Sequence, residues 1–248
     1  MTRPPTSRSD RDLQDAVINY LADAPRRRAG TEALPLSPQQ AARAEKFARF
    51  LARRYYRDRL ARSFRYSRRF ASPAEDLVDT QAFDGFLNAC VLGSVAAAEQ
   101  VAGLAIGHLR AAPAPGPWWG ELLQYERLFF LQAATTETAL PAEYPRLSPT
   151  ARCHHFFWNL PVLLTRLKSG GAAGEELRQE VTLLFSRTHH GRIYVVQADG
   201  PAAAVFGALR AGADPARIAE TTFLPAAAVR HTLAALGQIG ALVTSSEA

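Results

Sequence analysis

The sequence predicts a mainly α protein: an N-terminal helical domain joined to a small C-terminal α+β domain, winged-helix-like and carrying a β-hairpin. Three observations predict it. Apolar residues recur at helical spacing over most of the 248 residues, the helix-start signature Ser-Pro recurs at 37–38 and 72–73, and the hydrophobic period falls to two only in "LLFSRTHHGRIYVVQADG" at 183–200.

Asp12 to Asp23 carries Leu13, Val17 and Leu21 at a four-residue spacing, a short amphipathic helix that the run Pro25 to Gly30 should end. "SPQQ" at 37–40 opens a long helix: Ser37 caps, Pro38 suits the first position and Gln40 closes a capping box, with the helix running through the Arg-rich stretch to about Tyr66. "SPAE", with Ser72, Pro73 and Glu75, should start a helix toward Leu92. Ser94 to Arg110 is small and apolar on nearly all faces (Val95, Ala98, Val101, Ala105, Leu109), as a central helix would be. "APAPGP" at 112–117 is a linker by composition, and Trp118 to Ala133 an aromatic-rich amphipathic helix. Pro141, Pro145 and Pro149 prevent any long element before a short helix at Pro161–Lys168, and the flexible "SGGAAG" at 169–174 marks the boundary.

Beyond it, Val181–Ser186 and Arg192–Gln197 are strand candidates around "RTHHG", where Gly191 can take the positive φ of a hairpin loop. Helices then fit Pro201–Arg210, Pro215–Thr222 capped by Asp214, and Pro225 to about Gly237, and a final extended "ALVTS" could pair back onto the sheet. The expected organisation is an N-terminal arm and short helix (1–30), a helical domain (31–168) and a winged-helix-like domain (175–248).

The first thirty residues, with Arg3, Arg8, Asp10, Arg11 and Asp12, lack the apolar block of a signal peptide, and no later stretch reaches the roughly 18 apolar residues of a membrane span. A bacterial-type cytoplasmic protein without membrane association is expected, with Cys90 and Cys153 as reduced thiols. The net charge of +6 is local: Arg43 to Arg69 holds ten Arg and one Lys against Glu45 and Asp58, so the rest of the chain is slightly acidic.

Cys153, His154 and His155, with His189 and His190 elsewhere, have the chemistry of zinc or iron ligands but not the spacing, because neighbours diverge on a helix and oppose on a strand. Packing is the better reading of "CHHFFWNLP"; no metal site and no catalytic residue are assigned. A Cys–His nucleophile lacks a third partner and "GxSxG" is missing, so a hydrolase is only a third choice. "SGGAAG" lacks the Lys-Ser/Thr of a phosphate loop.

A winged helix reads DNA with polar side chains on its recognition helix and cations around it. Here the last helix offers only Arg230 and His231, and residues 181–248 hold five Arg against four acids. A DNA-binding transcriptional regulator is therefore the alternative. A hairpin hung on three helices has an unpaired edge that can take an extended peptide as an added strand, with Tyr194, Val196 and the helix near Arg230 selecting side chains. The Arg-rich helix, with Arg43, Arg53, Arg54, Arg57, Arg62, Arg65, Arg68 and Arg69 among Tyr55, Tyr56, Phe64 and Tyr66, could dock an acidic protein surface, hold an acidic leader, bind nucleic acid, or be a solvated face whose stems cover the core. The protein partner is preferred, because Phe47, Phe50 and Leu51 fall at core spacing rather than as stacking platforms. Trp118 and Trp119 read first as core, and as interface anchors if the linker leaves them at the surface.

The segment from "VTLLFSRTHHGRIYVVQADG" through "LPAAAVRHTLAALGQIGALV" resembles the peptide-recognition elements of ribosomal peptide natural-product biosynthesis. The helical part, with "RRYYRDRLARSFRYSRRF" and "YERLFFLQA", is similar to partner subunits of multinuclear non-haem iron oxidases of methanobactin-type pathways. The resemblance implies a subunit without a cofactor that binds a precursor peptide's leader through Ile193, Tyr194, Val195, Val196 and Gln197 and through Ala228 to His231. It implies iron in the partner oxidase; the residues that charge and aromatic content, rather than the resemblance, offer for docking that partner are Arg53, Arg54, Tyr56, Arg57, Arg65, Trp118 and Trp119. The Ala-rich last helix departs from that pattern by offering a flat wall to the peptide.

Overall fold

The computed structural model describes residues 10–29, 36–136 and 145–243. The chain opens with α1 (Asp10–Ala22) and α2 (Ala24–Ala29). Pro25 does not end the helical run; it sits in the first turn of α2, where a missing N–H costs nothing. Arg27 donates to the carbonyls of Tyr20 and Leu21 at the end of α1 (2.9 and 2.7 Å) and pairs with Glu45 (2.7 Å) on the next helix. That helix, α3 (Pro38–Ser63), starts in the expected capping box, with Ser37 Oγ accepting from Gln40 N (3.3 Å) and Gln40 Oε1 from Ser37 N (2.9 Å).

The expected helix from Ser72 toward Leu92 is instead two elements. Pro73 precedes a 3-10 turn, Ala74–Asp79, and Thr80 caps the short α4 (Gln81–Leu87). Leu77, Val78, Phe83, Phe86 and Leu87 are all buried. On one straight helix they would point in every direction around the axis, so the break lets all of them face one core. α5 (Val95–Arg110) is capped by Ser94 and is not buried all round: Ala98, Val101, Ala105 and Leu109 are covered, whereas Ala96, Gln100, Gly103 and Gly107 face solvent. α6 (Trp119–Ala134) packs between α3 and α5. Tyr56 and Leu60 of α3 and Phe64, which caps its C-terminus, meet Leu122, Leu123 and Phe130 of α6 in the first core, and the Tyr56 ring lies edge-on to Phe83 and Phe86 (6.0 and 5.5 Å).

Two short strands occupy the Pro-interrupted segment read above as lacking long elements: β1 (Arg146–Leu147) and β2 (Arg152–Phe156). After α7 (Leu160–Lys168) come β3 (Val181–Arg187) and β4 (Ile193–Gln197). Their three-residue loop, 189–191, ends on Gly191 at φ +82°, as expected of a residue that closes such a hairpin. The antiparallel sheet has the order β2-β3-β4, so the strands flanking residues 169–174 pair with each other. α8 (Gly200–Arg210), α9 (Ile218–Thr222) and α10 (Ala226–Gln238) follow, a 3-10 turn (Pro215–Arg217) capped by Asp214 leading into α9. The closing β5 (Leu242–Val243) pairs with β1 rather than with the hairpin; Thr244 and Ser245 of "ALVTS" lie outside the described residues.

The sheet serves two cores at once. Phe156, Val181, Leu183 and Phe185 face the helical core, whereas Leu184, with Cys153 and Val196 packed beside it, faces a second core of Val205, Phe206, Ile218, Val229 and Leu236. Alternation along each strand divides the two sets. A hairpin in a mostly helical chain thus has a physical reason: it is a wall with an apolar surface on both sides. Gly240 brings the end of α10 against that wall, since a Cβ there would stand 2.6 Å from Arg187 O, and Ser186 Oγ donates to Ile239 O (2.7 Å).

Candidate functional site

β3 is paired on both sides and β4 on one. Thr188 N donates to Arg192 O (3.0 Å) and Ala198 N to Thr182 O (2.9 Å). By alternation Tyr194 and Val196 pair inward, while the N–H and C=O of Ile193, Val195 and Gln197 point to the outer side. Among the described residues no strand pairs along that side.

Side chains flank this edge differently on its two faces. On the face of Ile193 a cleft of about 770 Å³ opens between the last turns of α3, the end of α6 and the hairpin. Arg59, Arg62, Arg65 and Arg187 line it against one acid, Asp58. Two of these arginines complete the end of α6, whose last carbonyls have no partner within the helix. Arg59 Nε donates to Ala133 O (3.0 Å) while its guanidinium lies 3.4 Å above the Tyr55 ring, and Arg187 donates to Gln132 O (3.3 Å) and Thr135 O. Arg65 lies 4.7 Å over the Tyr66 ring and donates to its hydroxyl. Arg62 makes no hydrogen bond or ion pair among the described residues. On the opposite face Tyr194 lines a smaller cleft, about 330 Å³, with His189, His190, Gly237, Gln238 and Gly240. The wall beside Tyr194 is therefore the end of α10. Ala228, Arg230 and His231 lie at its other end and do not line this cleft, about 10 Å away at the helical rise. Gln197, Arg230 and His231 are exposed, Val195 packs against the first core and Val196 against the second.

The expected docking residues do not form one surface. Tyr56, Trp118 and Trp119 are buried, the two Trp rings edge-on to Phe70, because the "APAPGP" turn folds them inward. Arg53 pairs with Asp84 and donates to Val78 O (3.3 Å), and Arg57 pairs with Asp79 (2.6 Å), so both tie α3 to the segment after Pro73. Arg54 is exposed without an ion pair among the described residues. Phe47 and Phe50, expected in the core, are 51% and 55% exposed and stack at 6.5 Å on the outer face of α3 beside it. The sequence pattern overlooked Arg187, since only the packing of the sheet on α6 brings it to the cleft.

The remaining candidates are held apart. His154 stands edge-on to Phe156 (4.6 Å), and burial, His155 and Arg127 lower its pKa. His155 bonds Thr182 (3.1 Å) and lies 3.5 Å from Glu180. Burial raises both thiols, Cys90 to about 11, opposite to what a nucleophile needs. Among the described residues no three His, Cys, Asp or Glu gather to hold an ion, and no helix is long and apolar enough to cross a membrane. Glu126 is the most perturbed carboxyl: burial pushes it up to about 7, against the N–H groups of Tyr66 (2.6 Å) and Ser67 (3.2 Å) that it accepts. Compared with known proteins, the chain matches no family model and no curated protein.

Proposed function

We propose that this chain is a non-catalytic subunit that binds the leader of a ribosomally made precursor peptide and presents it to a partner iron oxidase. The observation that carries the reading is the outer side of β4, where Ile193, Val195 and Gln197 offer main-chain groups with no strand beside them among the described residues. An extended peptide satisfies such groups at no cost in side-chain specificity, and flanking clefts then select residues. The peptide lies along β4 with one face over the arginine cleft and the other beside Tyr194 and the end of α10. Iron belongs to the partner, docked on the outer face of α3 where Phe47, Phe50 and Arg54 stand exposed. Holding leader and oxidase together raises the local concentration of the peptide's reactive end at the oxidase's metal. For the alternative, duplex DNA, the exposed cations on α10 are Arg230 alone with His231 beside it, too few phosphate contacts for firm binding.

The test takes peptides selected against the full chain from an unbiased displayed library and methylates their amide nitrogens one at a time. Binding should be lost at every second position, the mark of a strand paired along one side. Tolerance of methylation throughout, or tight salt-dependent binding of random duplex in place of peptide, overturns the reading.

A further inference from the structure

We infer that the cleft between α3, α6 and the start of β4 is a subsite for acidic side chains placed two residues apart on the bound peptide. The inference rests on strand addition at β4 and adds the chemistry of the ligand.

A strand paired to β4 places the residues opposite Ile193 and Val195 on the same face as those side chains, about 5 Å away between Cβ atoms. That face looks onto the cleft that Ile193 lines with four arginines and Asp58. The arginines are not equivalent. Arg59 and Arg187 are committed to the carbonyls that end α6, and Arg59 also to Tyr55 O within α3, so they supply positive field but few free donors. Arg62 has no partner among the described residues, and Arg65, 4.7 Å over the Tyr66 ring and bonded to its hydroxyl, is exposed with donors still open to solvent. These two are the fork-shaped donors a carboxylate accepts from in pairs. Of the other arginines in the 43–69 run, only Arg43 and Arg54 also lack a partner among the described residues, and neither lines the cleft.

Nucleic acid would use the same charge but needs rings for its bases. Here the Tyr55 and Tyr66 rings already carry guanidinium groups, Phe64 is buried, and of the cleft's aromatics Phe129 is half-buried. The residues between the acidic ones face Tyr194, so the expected ligand alternates: acidic toward α3, apolar or aromatic toward α10.

The experiment uses fluorescein-labelled peptides from the same displayed library, read by anisotropy with the full chain, Arg62→Gln, and Arg62→Glu combined with Arg65→Glu. Thermal melting first shows that each variant folds. Acidic residues should be enriched two apart; exchanging them for Gln should weaken binding about tenfold or more, the scale of one to two charge-assisted bonds. The double variant should lose the same factor, and a peptide with Lys at those positions should bind the double variant better than the wild type. If binding tolerates Glu→Gln and the double variant while amide methylation still abolishes it, acidic selectivity is wrong and strand addition stands. If methylation is tolerated as well, or no peptide is selected, both fail; a single-stranded oligonucleotide that binds in an Arg62-dependent way while acidic peptides do not also overturns the inference.

Discussion

Two residues carry local conditions that measurements can isolate. Glu126, midway along α6, is buried against the turn after α3, accepting from Tyr66 and Ser67 of that turn with its second oxygen unpartnered. Its folded pKa of about 7 stands above the ordinary 4.5, so the folded state holds the proton more tightly. The stability this contributes is complete below about pH 4.5 and is lost as pH rises through about 7, on the order of 3 kcal/mol at ~1.4 kcal/mol per unit. Glu126→Gln keeps an acceptor for both N–H groups and cannot ionise. Denaturant melts at pH 5 and pH 8 should show the wild type losing a few kcal/mol that the variant keeps. Phe223, between α9 and α10, stands at φ 56° and is 94% exposed. A bulky side chain in the left-handed region costs ~1–2 kcal/mol, and glycine returns part of that as lost chain entropy. Phe223→Gly should therefore raise stability by up to about 1 kcal/mol in a denaturant melt.

At the scale of elements, what reads from sequence is what is local. The capping box at Ser37 and Gln40, the Ser94 cap, the Asp214 cap and the Gly191 turn all follow from a few adjacent residues, and they stand where expected. What failed depends on long-range neighbours. "RCHHF" has no apolar alternation of its own and becomes β2 because β3 offers it an edge. The helix after Ser72 breaks because the core needs side chains from all its directions. The arginine run looked like one basic surface, yet Arg49, Arg53, Arg57 and Arg68 pair with acids, and Arg59 and Arg69 bond carbonyls at the ends of α6 and α7. For the binding site the strand 193–197 was legible, while its neighbours were not: the cleft's Arg187 and the end of α10 arrive through tertiary packing. Arg187→Met removes a charged donor from the end of α6 and should cost about 1–3 kcal/mol, checked by a melt against Arg62→Met, which should cost under about 0.5.

Across the whole molecule the sheet couples two cores, Phe185 on one side of β3 and Leu184 on the other. Truncating either to Ala leaves a cavity beside the same strand and should cost about 2–5 kcal/mol. Because β3 is common to both, each variant should lower one shared calorimetric transition; a melt that splits in two for one variant would show that the cores unfold separately. The same arrangement packs β4 on both faces, Val195 on one core and Val196 on the other, while no described strand covers its outer side, so a ligand strand would meet a preformed edge and spend little on ordering it. Amide hydrogen exchange of the full chain, with and without a selected peptide, tests that most directly. The Ile193, Val195 and Gln197 amides should exchange quickly in the free chain and slow markedly when peptide is bound, with Tyr194 and Val196 protected throughout. Unchanged exchange at the three outer amides, with protection appearing elsewhere, would contradict binding at this edge.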